Sequence, residues 1–383
     1  MFDTLRFMPL PEAAEALRPR VRALIAEHVA PLPASRRIRS WLAADRDFSR
    51  AMGRAGLLGL TLPVAYGGAG MDAFARYVVV EELLAAGAPV GLHWIADRQS
   101  ALMILAHGSE AQRQRHLPAI CRGESFFAIG MSEPESGSDL ASVRTRAVRQ
   151  PDGGWRLSGQ KIWTTNAQHC DHMIALVRTS GDSGDRQRGL SQMLIDLRLP
   201  GITIRPIADA TGHEDFNEVF FDDVALPADA LLGREGEGWT QVNAELAFER
   251  SGPERIWSSA VLLDQWIAHV ACHTADPART RLAGRLTAEL AALRALSVAV
   301  TARLAAGEEP AVEAALLKDL GTGFEQSVPM LVADDLAARP DEAVSAELSA
   351  TLFHALAIAP AYSLRGGTRE ILRGIIARAL GVR

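Results

Sequence analysis

Two polar segments carry the side chains best suited to chemistry. Ser132-Glu133-Pro134-Glu135-Ser136-Gly137-Ser138-Asp139 follows Phe126–Met131, an apolar run of strand character. The Ser132 and Ser138 hydroxyls and the N–H groups of the Ser-Gly-Ser turn are suited to a phosphate or the polar edge of a heterocycle. A plain polar loop is the competing reading. In Trp155–Ala167 a strand is expected to enter and reverse at Ser158-Gly159, after which Trp163 and Thr165 share one face by the period of two. An aromatic ring beside a hydroxyl suits a flavin, which needs a stacking or edge contact and a donor to a ring nitrogen. The plainer alternative is a core tryptophan next to a β-forming threonine.

Other clusters carry less. Gly67-Gly68-Ala69-Gly70 and Gly233-Arg234-Glu235-Gly236-Glu237-Gly238 lack the strand-before, helix-after context of a dinucleotide fingerprint and read as turns. His169-Cys170-Asp171-His172 opens a strand, where successive side chains point to opposite faces, so it is not expected to converge on a metal. Cys121, Cys170 and Cys272 form no CxxC pair, which argues against a thiolate metal site or a disulfide framework and suggests a reducing cytoplasm.

Three segments position these residues. Apolar residues recur at helical spacing from Pro11 to about Leu117, interrupted by the loop Leu62–Gly70. From about Ala119 to Pro227 short β-like runs follow one another without intervening helices, as expected of a small antiparallel barrel or sandwich. Helical periodicity returns from Gly238 to the end. The expected class is α+β: an N-terminal helical domain (1–118), a β-domain (119–228) and a C-terminal helical bundle (229–383).

A chain of 383 residues, 48% hydrophobic and 22% charged, can bury a large core. A net charge of −6 does not favour nucleic acid, no apolar run reaches the length of a membrane span, and Met1–Arg6 shows no basic region leading into an apolar one as a signal peptide would. Only Lys161 and Lys318 are lysines; no function follows from that alone.

Ser132–Asp139 resembles the first signature of the acyl-CoA dehydrogenase family, and Gly159–Ala167 resembles its flavin-contacting strand. Further pieces fall in family order: Leu62-Pro63 with Tyr66-Gly67-Gly68, Gly108–Arg113 with Leu117-Pro118, and Gly366-Gly367-Thr368-Arg369-Glu370-Ile371-Leu372-Arg373. The resemblance spans essentially the whole chain and implies the family's helix–strand–helix fold. It also implies FAD as cofactor and an acyl-CoA substrate, converted to a trans-2-enoyl-CoA by loss of an α-proton to a glutamate and a β-hydride to the flavin. By motif position, Ile129, Met131, Ser132, Gly137, Ser138, Trp163 and Thr165 resemble the cofactor-binding residues. Ser138, Arg250 and Gly366 resemble residues on the substrate side. The usual acceptor in similar proteins is an electron-transferring flavoprotein.

The chain departs from the family pattern twice. Many members place the catalytic glutamate directly before the Gly-Thr of the C-terminal motif, where Gly366 stands here. A smaller set, including the isovaleryl type, carries the base on an earlier helix at a position resembling Glu249. Without the resemblance Glu249 reads as a surface carboxylate four residues after Glu245; Glu254 is its rival, beyond the break expected at Gly252-Pro253. Second, homotetrameric relatives grip the ADP half of FAD with Arg-x-x-Phe-Gly and Gln-x-x-Gly-Gly segments, absent at the corresponding His269–Thr280 and Leu331–Arg339. That absence implies a heterotetramer with a related dehydrogenase subunit, as in members acting on bulky steroid-like acyl-CoAs, with a homo-oligomer as the alternative. The alternatives are a non-catalytic partner subunit and an oxidase-like flavoenzyme.

Overall fold

A computed structural model of the protein describes residues 5–382, without the side chains of residues 183, 245–249 and 251. The chain packs as two units. One comprises Leu42–Gly70 and Val90–Phe248; the other takes the described residues up to Trp41, Met71–Pro89 and the chain from Glu249 onward. The first third of the chain therefore contributes helices to both units.

The first unit is built on one sheet. Its strands are β1 (Phe127–Gly130), β2 (Arg146–Arg149), β3 (Trp155–Thr165), β4 (His172–Arg178), β5 (Leu190–Asp196), β6 (Ile202–Ile207), β7 (Phe216–Leu226) and β8 (Leu231–Leu232). They run in the order β6-β7-β3-β2-β4-β5-β8, with β1 paired to β4. The helix–strand–helix order matches the α+β expectation. The sheet is open rather than closed into a barrel, and it is not wholly antiparallel, because β1 lies parallel to β4.

Burial explains the arrangement. From Met173 to Arg178, β4 is buried at every position, as a central strand covered on both faces must be. Met173, Ala175 and Val177 face Trp155, Leu157, Val219, Phe221 and Val224 in one core. Ile174 packs with Leu62, Ile104 and Leu117, and Leu176 with Val143 and Val242 of the helix Gly238–Ser251. The edge strand β6 instead alternates between partly buried and exposed residues along most of its length.

The expected reversal at Ser158-Gly159 is absent. β3 continues through it, pairing with β7 from Trp155↔Leu226 to Thr165↔Phe216, with irregularities between Leu157 and Gly159 and between Lys161 and Thr164. Gly159 is required by close approach: a Cβ there would lie 2.7 Å from the Thr145 Cα, at a φ of +142°.

In the second unit, helices Ala260–Ala271, Pro277–Ala305, Ala311–Ala337 and Ala346–Ile358 bury Trp266, Leu262, Leu286, Leu317, Val328 and Leu348 together. Local chemistry sets the helix starts. Asp276 accepts the Ala278 N–H at 2.7 Å ahead of Pro277, and Ser345 accepts the Leu348 N–H at 3.1 Å.

Asn166, directly after β3, adopts a left-handed φ of 53° and buries its side chain. Its amide donates to the Leu42 carbonyl at 2.9 Å. Asn166→Asp keeps the backbone preference and shape but sets a carboxylate against that carbonyl. Urea unfolding should show a loss of about 1–3 kcal/mol; an unchanged midpoint would contradict this role for the amide.

Candidate functional site

The polar segment after β1 is fixed by a buried ion pair. The Lys161 ammonium on β3, with no exposed surface, donates to the Glu133 carboxylate at 2.8 Å and to the Met131 carbonyl at 3.1 Å. Glu133 also accepts the backbone N–H groups of Arg144 (2.7 Å) and Thr145 (2.9 Å). The Ser132 carbonyl accepts the Ile162 N–H at 3.0 Å, so Met131–Glu133 runs alongside the middle of β3.

Burial works to raise the Glu133 pKa, but the Lys161 charge and the donated hydrogen bonds outweigh it and hold the carboxyl below its usual value. Burial pushes Lys161 down to about 8 against the opposing pull of Glu133, which leaves it charged at neutral pH.

The rest of the loop is braced internally. Glu133 and Ser136 exchange backbone hydrogen bonds at 2.8 and 3.0 Å, and Ser136 Oγ donates to the Asp139 carbonyl. The Ser136 N–H is thus engaged, while Gly137 and Ser138 remain exposed. Arg178, buried on β4, donates to the carbonyls of Ala141, Val143, Arg186 and Arg188, and Arg186 pairs with Asp139 at 2.7 Å.

Beside this braced segment lies a polar-edged aromatic surface. Ile129 on β1, Met131, Ser132 and Thr165 are half-buried, whereas Trp163 is 59% exposed. Trp163 sits at the second irregularity of β3 with φ at 61°, and Phe216 meets its ring edge-on at 6.3 Å. A large aromatic in a left-handed conformation is unusual for a β-strand. Despite the irregularity, burial alternates here as expected of Trp163 and Thr165: Thr164 is buried between the exposed Trp163 and the half-buried Thr165. An exposed indole, apolar side chains and hydroxyls on these stretches are the residue types that a flat, polar-edged ring needs.

The remaining candidates belong to the helical unit. Glu249 lies on the helix Gly238–Ser251, and its side chain is outside the described residues. Arg250 is buried, and its Nε donates to the Gly366 carbonyl at 2.8 Å. Gly366 and Gly367 both have positive φ, 67° and 100°. The helix stops before Gly252, and Glu254 lies in the short turn Pro253–Arg255 with its carboxylate paired to Arg76 at 2.7 Å.

The stretches His269–Thr280 and Leu331–Arg339 hold an internal ionic network. Buried Arg279 bonds Asp335 and Glu342, Arg339 bonds Asp335 and Asp276, and the Trp266 indole N–H donates to Asp335 at 3.0 Å. Elsewhere His172 packs in a three-ring cluster with His116 and Phe127, away from any converging ligand set among the described residues. Sequence reasoning passed over Glu133, Lys161 and Arg178. A rare lysine inside an alternating strand was the available signal for Lys161.

Two family models match: "Acyl-CoA dehydrogenase, N-terminal domain" over residues 11–124 and "Acyl-CoA dehydrogenase, middle domain" over residues 128–224. The chain is 34% identical to the acyl-CoA dehydrogenase IpdE1 of Mycobacterium tuberculosis over 88% of each protein. It is 32% identical to FadE34 of the same organism over 95% of this chain, but it spans about half (48%) of that relative's length. Among solved structures, the ChsE4-ChsE5 complex from Mycobacterium tuberculosis superimposes with a TM-score of 0.84, 27% identity and coverage of 99% of this chain and 100% of the other. A structure described as the Tcur3481-Tcur3483 steroid ACAD gives 0.85 and 26%, with coverage of 98% and 100%. The chain belongs to the acyl-CoA dehydrogenase family.

Removing one member of the buried pair tests its role. Glu133→Gln strands Lys161 and should cost about 3–5 kcal/mol at neutral pH; a loss under about 1 kcal/mol, as for a surface pair, would contradict it. The sign with pH follows from the lowered carboxyl. The stabilisation is complete from 4.5 up to the Lys161 pKa of about 8 and is lost as pH falls through the folded-state Glu133 pKa, so Glu133→Gln should lack this part of the acid sensitivity.

Proposed function

We propose that the chain is an FAD-dependent acyl-CoA dehydrogenase that converts an acyl-CoA thioester to the trans-2-enoyl-CoA. The observation that carries this reading is the exposed Trp163 on β3, the strand to which the Glu133–Lys161 pair and the Ile162 N–H to Ser132 carbonyl bond tie the Met131–Glu133 segment. Ile129, Met131, Ser132, Trp163 and Thr165 would hold the flavin ring, and Gly137 and Ser138 would meet its polar extension or the substrate. When bound, FAD supplies a hydride acceptor for the β-carbon.

Glu249 takes the α-proton. An α-proton of a thioester is weakly acidic, so the base must be a positioned carboxylate and the carbonyl must be hydrogen-bonded as negative charge develops. Two observations favour Glu249 over other carboxylates. Glu254 is held by Arg76, and the position before Gly367-Thr368 is a glycine. Arg250, following Glu249, ties this segment to Gly366, which supports a structural share in the substrate side for both residues.

The ADP half of FAD is assigned to a second, related subunit. The stretches that would carry the ADP-gripping segments instead bond to themselves through Arg279, Asp335, Arg339 and Glu342. The similar ChsE4-ChsE5 structure is a two-protein complex, and a related arrangement is proposed here. A bulky, ring-bearing acyl group and an electron-transferring flavoprotein acceptor complete the reading. No described helix is long and apolar enough to cross a membrane, and with three free cysteines we assign the protein to the cytoplasm.

The test is anaerobic addition of acyl-CoA to the flavin-loaded complex. Wild type should bleach the oxidised flavin and release enoyl-CoA, whereas Glu249→Gln should keep its flavin and slow bleaching by about 10²–10⁴-fold. Comparable rates in the two proteins would remove Glu249 from the mechanism. Rapid peroxide formation in air would favour an oxidase instead.

A further inference from the structure

We propose that His269, His273 and Glu342 form a binding site for a divalent transition-metal ion of the zinc class. A ring nitrogen of each histidine and a carboxylate oxygen of Glu342 lie within 4.8 Å of one another. Two histidines and a carboxylate are a donor set that suits zinc, with open positions left for water or another ligand.

The local structure prepares these groups. His269 lies in the last turn of the helix Ala260–Ala271, and the His273 N–H bonds the Val270 carbonyl as the chain leaves it, so the two rings share one side at a spacing of four. Their centroids are 4.4 Å apart. His273 Nδ1 lies 2.8 Å from the His269 carbonyl. A carbonyl can only accept, so Nδ1 carries the proton and Nε2 keeps the lone pair, the second-shell pattern common to metal-binding histidines.

His269 supplies the second indication. Its side chain is only 9% exposed, its Nε2 has no hydrogen-bond partner, and that nitrogen lies 3.7 Å from Glu342 Oε2. A buried nitrogen facing a carboxylate oxygen without a hydrogen bond is costly unless something bridges them.

The charge count favours a cation. Asp276, Asp335 and Glu342 are three carboxylates against the two guanidinium groups of Arg279 and Arg339. Arg279 is the competitor, since it lies 2.6 Å from Glu342 Oε2. It is also anchored at 3.0 Å to Asp335 and bonds the other Glu342 oxygen at 3.0 Å, so it can stay in place while Oε2 turns to an ion.

Equilibrium dialysis of the chelator-stripped full chain against zinc, with and without FAD, tests the site. Wild type should take up one zinc ion per chain at micromolar free metal, with a saturable rise in Tm. His273→Gln, at a half-buried position, and His269→Gln should each weaken binding by about 100-fold or more while leaving the metal-free Tm of His273→Gln unchanged. Absence of stoichiometric uptake by wild type below millimolar zinc would overturn the proposal. So would wild-type zinc affinity in either variant.

Discussion

The Glu133–Lys161 pair is the interaction on which the β-unit's candidate site depends. A lysine without exposed surface is tolerated only if its charge is compensated where it sits. Here one carboxylate and one backbone carbonyl do so, and the same carboxylate collects two backbone N–H groups from the strand-entry segment at Arg144 and Thr145. Three separate pieces of chain, Met131–Glu133, Arg144–Thr145 and Lys161 on β3, thereby meet at one point. The consequence is rigidity next to β3, where Trp163 is held in a left-handed conformation with its ring exposed. An exposed, strained aromatic persists only when its surroundings over-determine it.

The same logic separates the legible parts of the sequence from the illegible ones. The order of helices, strands and helices was readable because hydrophobic periodicity switches from helical to strand-like and back. From sequence Gly159 marks a turn, as glycine most often does; in fact Thr145, fourteen residues earlier, leaves no room for a side chain there. The parallel pairing of β1 with β4 is likewise non-local. Glu133 looked like one more charge in a polar loop, because its partner Lys161 lies in another element. Buried ion pairs seldom leave a local pattern, although one of only two lysines in the chain was a hint.

The helical unit shows how ionic chemistry can close a surface. Arg279 is nearly inaccessible and shares its guanidinium between Asp335 and Glu342, while Asp335 also takes the Trp266 indole N–H. Such a network engages the guanidinium groups of both Arg279 and Arg339 and carries an excess of carboxylate, which leaves little reason for it to grip an added diphosphate. Gly366 and Gly367 present a comparable constraint at the other candidate segment: consecutive positive φ values favour glycine, and Arg250 bonds the loop they form. The departures from the family pattern thus coincide with places where this chain has built its own internal contacts.

The most direct measurement is the equilibrium affinity of the chain, purified alone, for FAD and for riboflavin. A platform that holds the ring without gripping the adenosine diphosphate half should bind the two within about tenfold of each other, a difference of about 1.4 kcal/mol or less. FAD bound more tightly than riboflavin by over about 100-fold would contradict the composite site and show that this chain holds the whole cofactor by itself.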